Sequence, residues 1–212
     1  MIAARQIAFG RGGKRKPYDA EVEYLESTGT QYIDTGFLCS GADEVSITVF
    51  INSNDTGFWT YCGAAGNARA WCTSGYCRFG GDNYANIHKY VLIGEWNTIT
   101  VNKSFTTING ITEPMTLDRF DGVSNLTYQI FSTNGAAAIA APSLKIASFS
   151  WKRNGIIVLN IIPVRFTNEN GVSEGAMYDR VSGKLFRNVG TGEFIIGPDV
   201  ASANGGGITA DV

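Results

Sequence analysis

The sequence has 212 residues, of which 44% are hydrophobic and 17% are charged, and its formal net charge is −2. This composition is typical of a folded globular chain and excludes a disordered one, and the length suits one large domain. The charge is unevenly distributed, because residues 1–18 contain five basic and no acidic residues. The remaining 194 residues contain 12 basic and 19 acidic residues. A basic segment therefore leads into a mildly acidic body.

The N-terminus lacks the pattern of a secretory signal, since RGGKRK follows MIAARQIAF where an apolar stretch is required. The apolar runs of the chain are too short to cross a bilayer, so we expect a soluble protein without membrane association. The cysteines are Cys39, Cys62, Cys72 and Cys77. Three states of these cysteines are possible: reduced thiols, a hairpin disulfide between Cys72 and Cys77, or half of a metal site. Reduced thiols are favoured, because the chain has a single histidine and no CxxC pair.

Residues 1–19 form a basic, glycine-rich arm. Gly10, Gly12 and Gly13 disfavour a helix, and Pro17 ends the basic cluster. We predict an extended arm that anchors the protein to a partner, because glycine and arginine together suit a peptide laid along a protein surface. A nucleic-acid contact is disfavoured, since one Arg-Gly-Gly without repeats is weak evidence for it. The residues expected to make the protein contact are Arg5, Phe9, Arg11, Lys14, Arg15 and Lys16.

The body from residue 20 onward has the pattern of short strands separated by turns. Residues 45–51 alternate cleanly, with Val45, Ile47, Val49 and Ile51 on one face. Asn-Gly pairs at 109–110 and 154–155 predict tight hairpins. No convincing helix is present, and 12 to 15 short strands with regular turns predict an all-β, two-sheet antiparallel sandwich. Trp96 and Trp151 are both expected in its core.

An aromatic-rich segment in the first half of the body is the strongest candidate binding site. The residues Trp59, Tyr61, Trp71 and Tyr76 lie close together in sequence, with Arg78 nearby. Aromatic rings stack on the apolar faces of sugar rings, and the arginine supplies hydrogen bonds. Two interpretations stay open: these residues bind a glycan, or the rings fill the sandwich core.

Four segments together resemble a known family. They are YLESTGTQYIDTGF near the start, GEWNTITVN in the middle, SLKIASFSWKRNG later and GAMYDRVSGKLFRNVGTGEFIIGPD near the end. The combination resembles the concanavalin A-like (laminin-G-like) jelly roll found in proteins of bacteriophages and prophages of gut bacteria. The resemblance covers about residues 21–200. It implies that the segments 24–37 and 177–196 pair, and that the strands containing Trp96 and residues 145–151 are central.

Enzymes of this fold class place catalytic carboxylates as Glu-x-Asp-x-x-Glu on one strand. The nearest string here is Glu21, Glu23 and Glu26, which lacks the aspartate. His88 has no nucleophile elbow beside it, and clusters such as Asn52, Asn54 and Asp55 are typical of turns. We therefore expect no catalytic residues, no metal and no cofactor.

The sequence thus predicts an arm (1–19), a jelly roll (20–200) and a glycine-rich tail (201–212). From the resemblance we expect a non-enzymatic phage virion protein, a capsid decoration, head fibre or tail component, assembled in the host cytoplasm. Its arm would bind other virion proteins, with homo-oligomers a further possibility. The alternative function is a carbohydrate-binding module that recognises host-cell surface glycans.

Overall fold

A computed structural model describes residues 16–52, 60–64, 70–73, 76–79, 84–86, 90–116, 123–134 and 144–201. Within these ranges every regular element is a strand, and no helix could span a membrane. The strands are β1 (Ala20–Glu21), β2 (Leu25–Ser27), β3 (Ile33–Ser40), β4 (Asp43–Phe50), β5 (Thr60–Ala64), β6 (Ala70–Thr73), β7 (Tyr76–Phe79), β8 (Tyr84–Asn86), β9 (Trp96–Asn102), β10 (Phe105–Ile108), β11 (Ile111–Pro114), β12 (Val123–Ile130), β13 (Thr133–Asn134), β14 (Leu144–Arg153), β15 (Ile156–Thr167), β16 (Ser173–Asp179), β17 (Leu185–Phe186) and β18 (Ile195–Ile196).

The strands form two sheets. The larger sheet has the order β11-β10-β9-β4-β14-β15-β16-β17, with β1 beside β15 and with β2 between β14 and β18. The smaller sheet has the order β3-β12-β5-β6-β7-β8, and β13 adds to β5. Nearly all neighbouring strands are antiparallel, so the predicted all-β antiparallel sandwich is confirmed. The strands with Trp96 and residues 145–151 both lie inside the larger sheet, as expected.

The core lies between the sheets and is built around Trp151, which is fully buried, as predicted. Its ring packs edge-on against Tyr128 of the smaller sheet, with the ring centroids 4.8 Å apart. The alternation predicted for β4 is confirmed, because Val45, Ile47 and Val49 are buried. Both Asn-Gly hairpins are confirmed as well: the two residues of each pair have positive φ, which the right-handed twist of a two-residue hairpin requires.

The expectation that Trp96 belongs to the core is wrong, since its side chain is 40% exposed. Successive residues of a strand point to opposite faces, and β9 directs Asn97, Ile99 and Val101 inward. Asn97 takes an inward position because its amide group is bonded to the backbone N–H and carbonyl of Leu92 and to the carbonyl of Glu95. That alternation leaves Trp96 on the outer face.

Two irregularities adjust the long central strands. In β14 the pairing with β4 shifts between Ile146 and Ser148, so Ala147 forms a bulge and the inward positions change from even to odd numbers. The second irregularity lies in β15, which runs unbroken through Pro163 from Ile156 to Thr167. Pro163 lies where β15 leaves β14 and joins β1, so its missing N–H falls where the strand changes partner.

The two ends of the jelly roll pair with each other, as the resemblance implies. Glu26 and Leu25 of β2 are paired with Ile195 and Ile196 of β18. Residues 16–19, assigned to the arm from sequence, lie against this body. The ring of Tyr18 packs on that of Tyr178 with the centroids 4.8 Å apart, next to a small apolar cluster on the outer side of β15 and β16.

Gly190, between β17 and β18, lies too close to the backbone of the segment between β2 and β3 to carry a side chain. A Cβ atom on Gly190 would lie 1.9 Å from the backbone oxygen of Thr30. We predict that Gly190→Ala lowers the free energy of unfolding by about 3 kcal/mol, because backbone must move. Gly171→Ala is the matched control: it has positive φ but open space, and should cost about 1 to 2 kcal/mol. Equal losses for the two variants in urea unfolding would contradict the prediction.

Asp179 fixes the turn after β16 and should make stability pH-dependent. Burial by itself would raise the pKa of its carboxyl, but hydrogen bonds from the Ser182 hydroxyl and from the backbone N–H groups of Asn160, Val181 and Ser182 together outweigh burial and lower that pKa. A lowered pKa in the folded state stabilises the protein above the ordinary aspartate value of about 3.9. That contribution is lost as the pH falls through the folded-state pKa.

We therefore predict that Asp179→Asn costs about 2 to 3 kcal/mol at neutral pH, since one charged acceptor of four hydrogen bonds is lost. The difference from wild type should shrink as the pH falls below the ordinary aspartate value of about 3.9 and the wild-type carboxylate takes up a proton. Urea unfolding across this pH range measures it. A difference that does not vary with pH would show that the charge of Asp179 contributes nothing.

Candidate functional site

The predicted aromatic site falls in the smaller sheet. Trp59 lies outside the described residues, while Tyr61 belongs to β5, Trp71 to β6, and Tyr76 and Arg78 to β7. For these strand positions the structure gives the backbone path and the register. Trp71 is paired with Arg78, and Arg78 with Tyr84 of β8, so these three positions form one row across three neighbouring strands.

The register also decides which face this row occupies. Ile130, Cys62, Cys72, Cys77 and Ala85 are paired successively across five strands, and paired residues lie on the same face of a sheet. The two ends of that cysteine row are buried in the core. Because adjacent residues alternate between faces, the row formed by Trp71, Arg78 and Tyr84 lies on the opposite, outward face.

Polar residues of β12 and β3 extend the outward face. Gln129 is paired with Gly63 on one side and with Asp34 on the other. The Asp34 carboxylate accepts hydrogen bonds from the Thr127 hydroxyl and the Gly36 backbone N–H, both at 2.8 Å. It is therefore held in place by the protein itself. We call the set Asp34, Gln129, Gly63, Trp71, Arg78 and Tyr84 the outward row of the smaller sheet.

The other predicted residues divide between the two parts of the arm. Arg5, Phe9, Arg11, Lys14 and Arg15 lie outside the described residues. The Lys16 ammonium lies 3.2 Å from a carboxylate oxygen of Glu21, which also accepts a hydrogen bond from the Tyr18 hydroxyl. Arg180 donates to the second oxygen of Glu21. Glu21 thus connects the last residues of the arm to the turn after β16.

The carboxylates considered for catalysis do not share one strand. Glu21 is in β1 beside β15, whereas Glu26 is in β2 beside β14. The Glu26 carboxylate lies 3.8 Å from the Lys145 ammonium. His88 lies outside the described residues, and within the described ones no group of three His, Cys, Asp or Glu could hold a metal ion.

An open depression of about 550 Å³ lies at one end of the sandwich, between Leu38, Val123 and Arg153. The Arg153 guanidinium donates to both oxygens of the buried Asp43 carboxylate at 2.7 and 2.9 Å and to the Leu38 carbonyl. The hydrogen bonds that Arg153 donates to the Asp43 carboxylate raise the pKa of Arg153. Because the charges of Arg153 and Asp43 offset each other, the described residues that line this depression offer no unpaired charge to an anionic ligand.

An aromatic group that was not predicted from the sequence lies on the outer face of the larger sheet. The Trp96 ring lies beside Phe50 and Tyr24, with centroid distances of 5.5 and 6.1 Å. The Lys145 ammonium lies over both smaller rings, 4.8 Å from Tyr24 and 5.2 Å from Phe50. We call these four residues the Trp96 cluster. The sequence signal for the outward position of Trp96 is the alternation of Asn97, Ile99 and Val101. It indicates that position only once these three residues are known to face the core.

Comparison with known proteins adds evidence on the fold. No protein-family model and no curated protein matches the sequence. Among solved structures, the chain is similar to a "putative carbohydrate binding protein" from Bacteroides ovatus, with a TM-score of 0.50 and 13% sequence identity. The similarity covers 85% of this chain and 61% of that protein, so this chain spans less than two thirds of its neighbour. The match supports the sheet-rich, all-β architecture.

Proposed function

We propose that this protein is a non-enzymatic carbohydrate-binding jelly roll whose outward row on the smaller sheet binds host-cell surface glycans. The observation that carries the proposal is the register, which aligns Trp71, Arg78 and Tyr84 on the face away from the core. The description of the Bacteroides ovatus neighbour as carbohydrate-binding supports the same class of ligand. The fold hosts many functions, so the proposal rests on the row itself.

The chemistry of the row suits a sugar chain. Indole and phenol rings present apolar faces for pyranose rings, and the Arg78 guanidinium offers planar hydrogen-bond donors. Gly63 separates Gln129 from the position of Trp71 and has no side chain, so a ligand can approach the backbone there. Asp34 adds a polar group to the other end, and its carboxylate is already oriented by Thr127. Gln129 is buried, so its position contributes to the row only through the backbone register.

We expect Trp71→Ala and Arg78→Ala each to weaken glycan binding about tenfold or more, since one stacking or charged contact is worth roughly 1.4 kcal/mol or more. A glycan array of bacterial surface polysaccharides, followed by calorimetry on the best ligand, measures the loss. Ile111→Ala is the control, because Ile111 is exposed on the edge of the larger sheet.

Thermal unfolding of each variant shows whether the sheet is intact. Binding by wild type that survives both substitutions in folded protein would refute the site. A wild-type protein that binds no glycan on the array would refute the function.

A second candidate function is attachment to a phage virion through the N-terminal arm, with the jelly roll displayed. The supporting observation is where the two described chain ends lie. The backbone N–H of Asp19 donates to the Arg165 carbonyl of β15, and the N–H of Val200 donates to the Glu21 carbonyl. Both ends therefore leave from the larger sheet, and a partner bound to the arm would not need to cover the smaller sheet.

For this role we predict that removal of residues 1–15 abolishes incorporation into particles and leaves the body folded. Lys16 to Asp19 stay in the truncated protein because Tyr18 packs on Tyr178 and Asp19 accepts a hydrogen bond from Thr167. Removal of residues 202–212 is the matched control and should leave incorporation unchanged. Normal incorporation of the protein lacking residues 1–15, quantified in purified particles, would refute anchoring by the arm.

A further inference from the structure

The outer face of the larger sheet carries rows of hydroxyl side chains across its strands. In the longer row, Thr112, Thr107, Thr100, Ser46 and Ser150 are paired successively from β11 to β14. A shorter row beside it contains Thr98, Thr48 and Ser148. All eight side chains are exposed or half-buried. We call these two rows the hydroxyl face.

Hydrogen bonds within the rows hold these side chains in place. The Thr107 and Thr112 hydroxyls are 2.8 Å apart, Thr100 donates to Ser46 at 2.9 Å, and Ser148 donates to Thr48 at 3.0 Å. A hydroxyl has one donor and two acceptor sites, so each bonded group keeps capacity for a ligand. Because neighbouring strands lie about 4.8 Å apart, the hydroxyls recur at a regular spacing across a continuous surface.

The groups at the two ends of the hydroxyl face define the chemistry of its ligand. At one end lies the Trp96 cluster. In it, Trp96 is paired with Phe50, two residues along each strand from the Thr98–Thr48 pair of the shorter row. At the other end the Lys152 ammonium lies 2.8 Å from the Glu44 carboxylate. At the Trp96 end, the Lys145 ammonium lies beside the Glu26 carboxylate. Each end therefore carries one ion pair, in which the positive and negative charges offset each other. The surface therefore favours an uncharged ligand rich in hydroxyl groups.

We infer that the hydroxyl face and the exposed Trp96 ring form a second binding surface, for a neutral polysaccharide. One sugar ring stacks on Trp96, and the chain continues over the hydroxyl rows. A protein occupant is disfavoured, because the centre of a protein interface needs apolar and aromatic groups and the two rows have none. The inference shares only the ligand class with the proposed function. It uses a different sheet, so the protein would bind glycan on two opposite faces.

The test is affinity electrophoresis of the full chain through gels containing dextran, yeast mannan or mixed-linkage β-glucan, with alginate as an anionic comparison. We expect retardation by at least one neutral polymer and none by alginate. Trp96→Ala should weaken that interaction about tenfold. The double variant Thr48→Val, Thr100→Val should weaken it several-fold while keeping β-branched side chains in the strands. Trp71→Ala, on the opposite sheet, measures the contribution of the outward row. Val172→Ala, at an exposed position just before β16 and outside both surfaces, is the control and should leave the interaction unchanged.

The outcomes separate the two surfaces. Loss of all retardation in Trp71→Ala, with Trp96→Ala unaffected, would overturn the second surface and leave the proposed function standing. Retardation by alginate alone, or by none of the polymers, would also overturn it. A dimer of wild type in light scattering that Trp96→Ala dissociates would assign this face to a second copy of the chain. Thermal unfolding of the valine variant confirms that its sheet is intact.

Discussion

The pairing of β14 with β4 is the contact on which both faces of the larger sheet depend. It joins eight residues on each strand pair by pair, apart from the bulge at Ala147. Before the bulge Leu144 and Ile146 point inward, and after it Phe149 and Trp151 do. Without that one-residue shift, the buried Trp151 and the outward Ser148 and Ser150 would exchange faces. The core and the hydroxyl face are therefore products of the same register.

The second constraint is the closure of the jelly roll by its own ends. β14 and β15 are paired as far as Phe149 and Ile161 and then separate. Beyond that point β2 pairs with β14, and β1 pairs with β15. Leu25 fills the centre of this junction: it is fully buried, and a Cβ atom on Gly175 would lie 2.7 Å from its side chain. Because β18 pairs with β2, the N-terminal and C-terminal segments stabilise each other, and the chain leaves the body from one sheet.

These constraints place two chemically different surfaces on the opposite outer faces of one two-sheet sandwich. The smaller sheet carries an outward row with aromatic, arginine and carboxylate positions, whereas the larger sheet carries hydroxyl rows beside one exposed indole. Each surface depends on pleat alternation rather than on a cleft, so its ligand would lie along the sheet. A chain anchored through its N-terminal arm would still present the outward row. The hydroxyl face lies on the sheet from which the arm leaves, so anchoring would decide how accessible it is.

The local features of this protein could be predicted from its sequence. Asn109-Gly110 and Asn154-Gly155 form their hairpins because glycine and asparagine tolerate positive φ, and β4 shows its alternation within seven residues. The sequence did not predict the outer position of Trp96, the bulge at Ala147 or the single strand through Pro163. It also did not predict the alignment of Trp71 with Arg78 or the hydroxyl rows. Each of these depends on which residues face each other across strands that are distant in sequence, and no local propensity encodes that register.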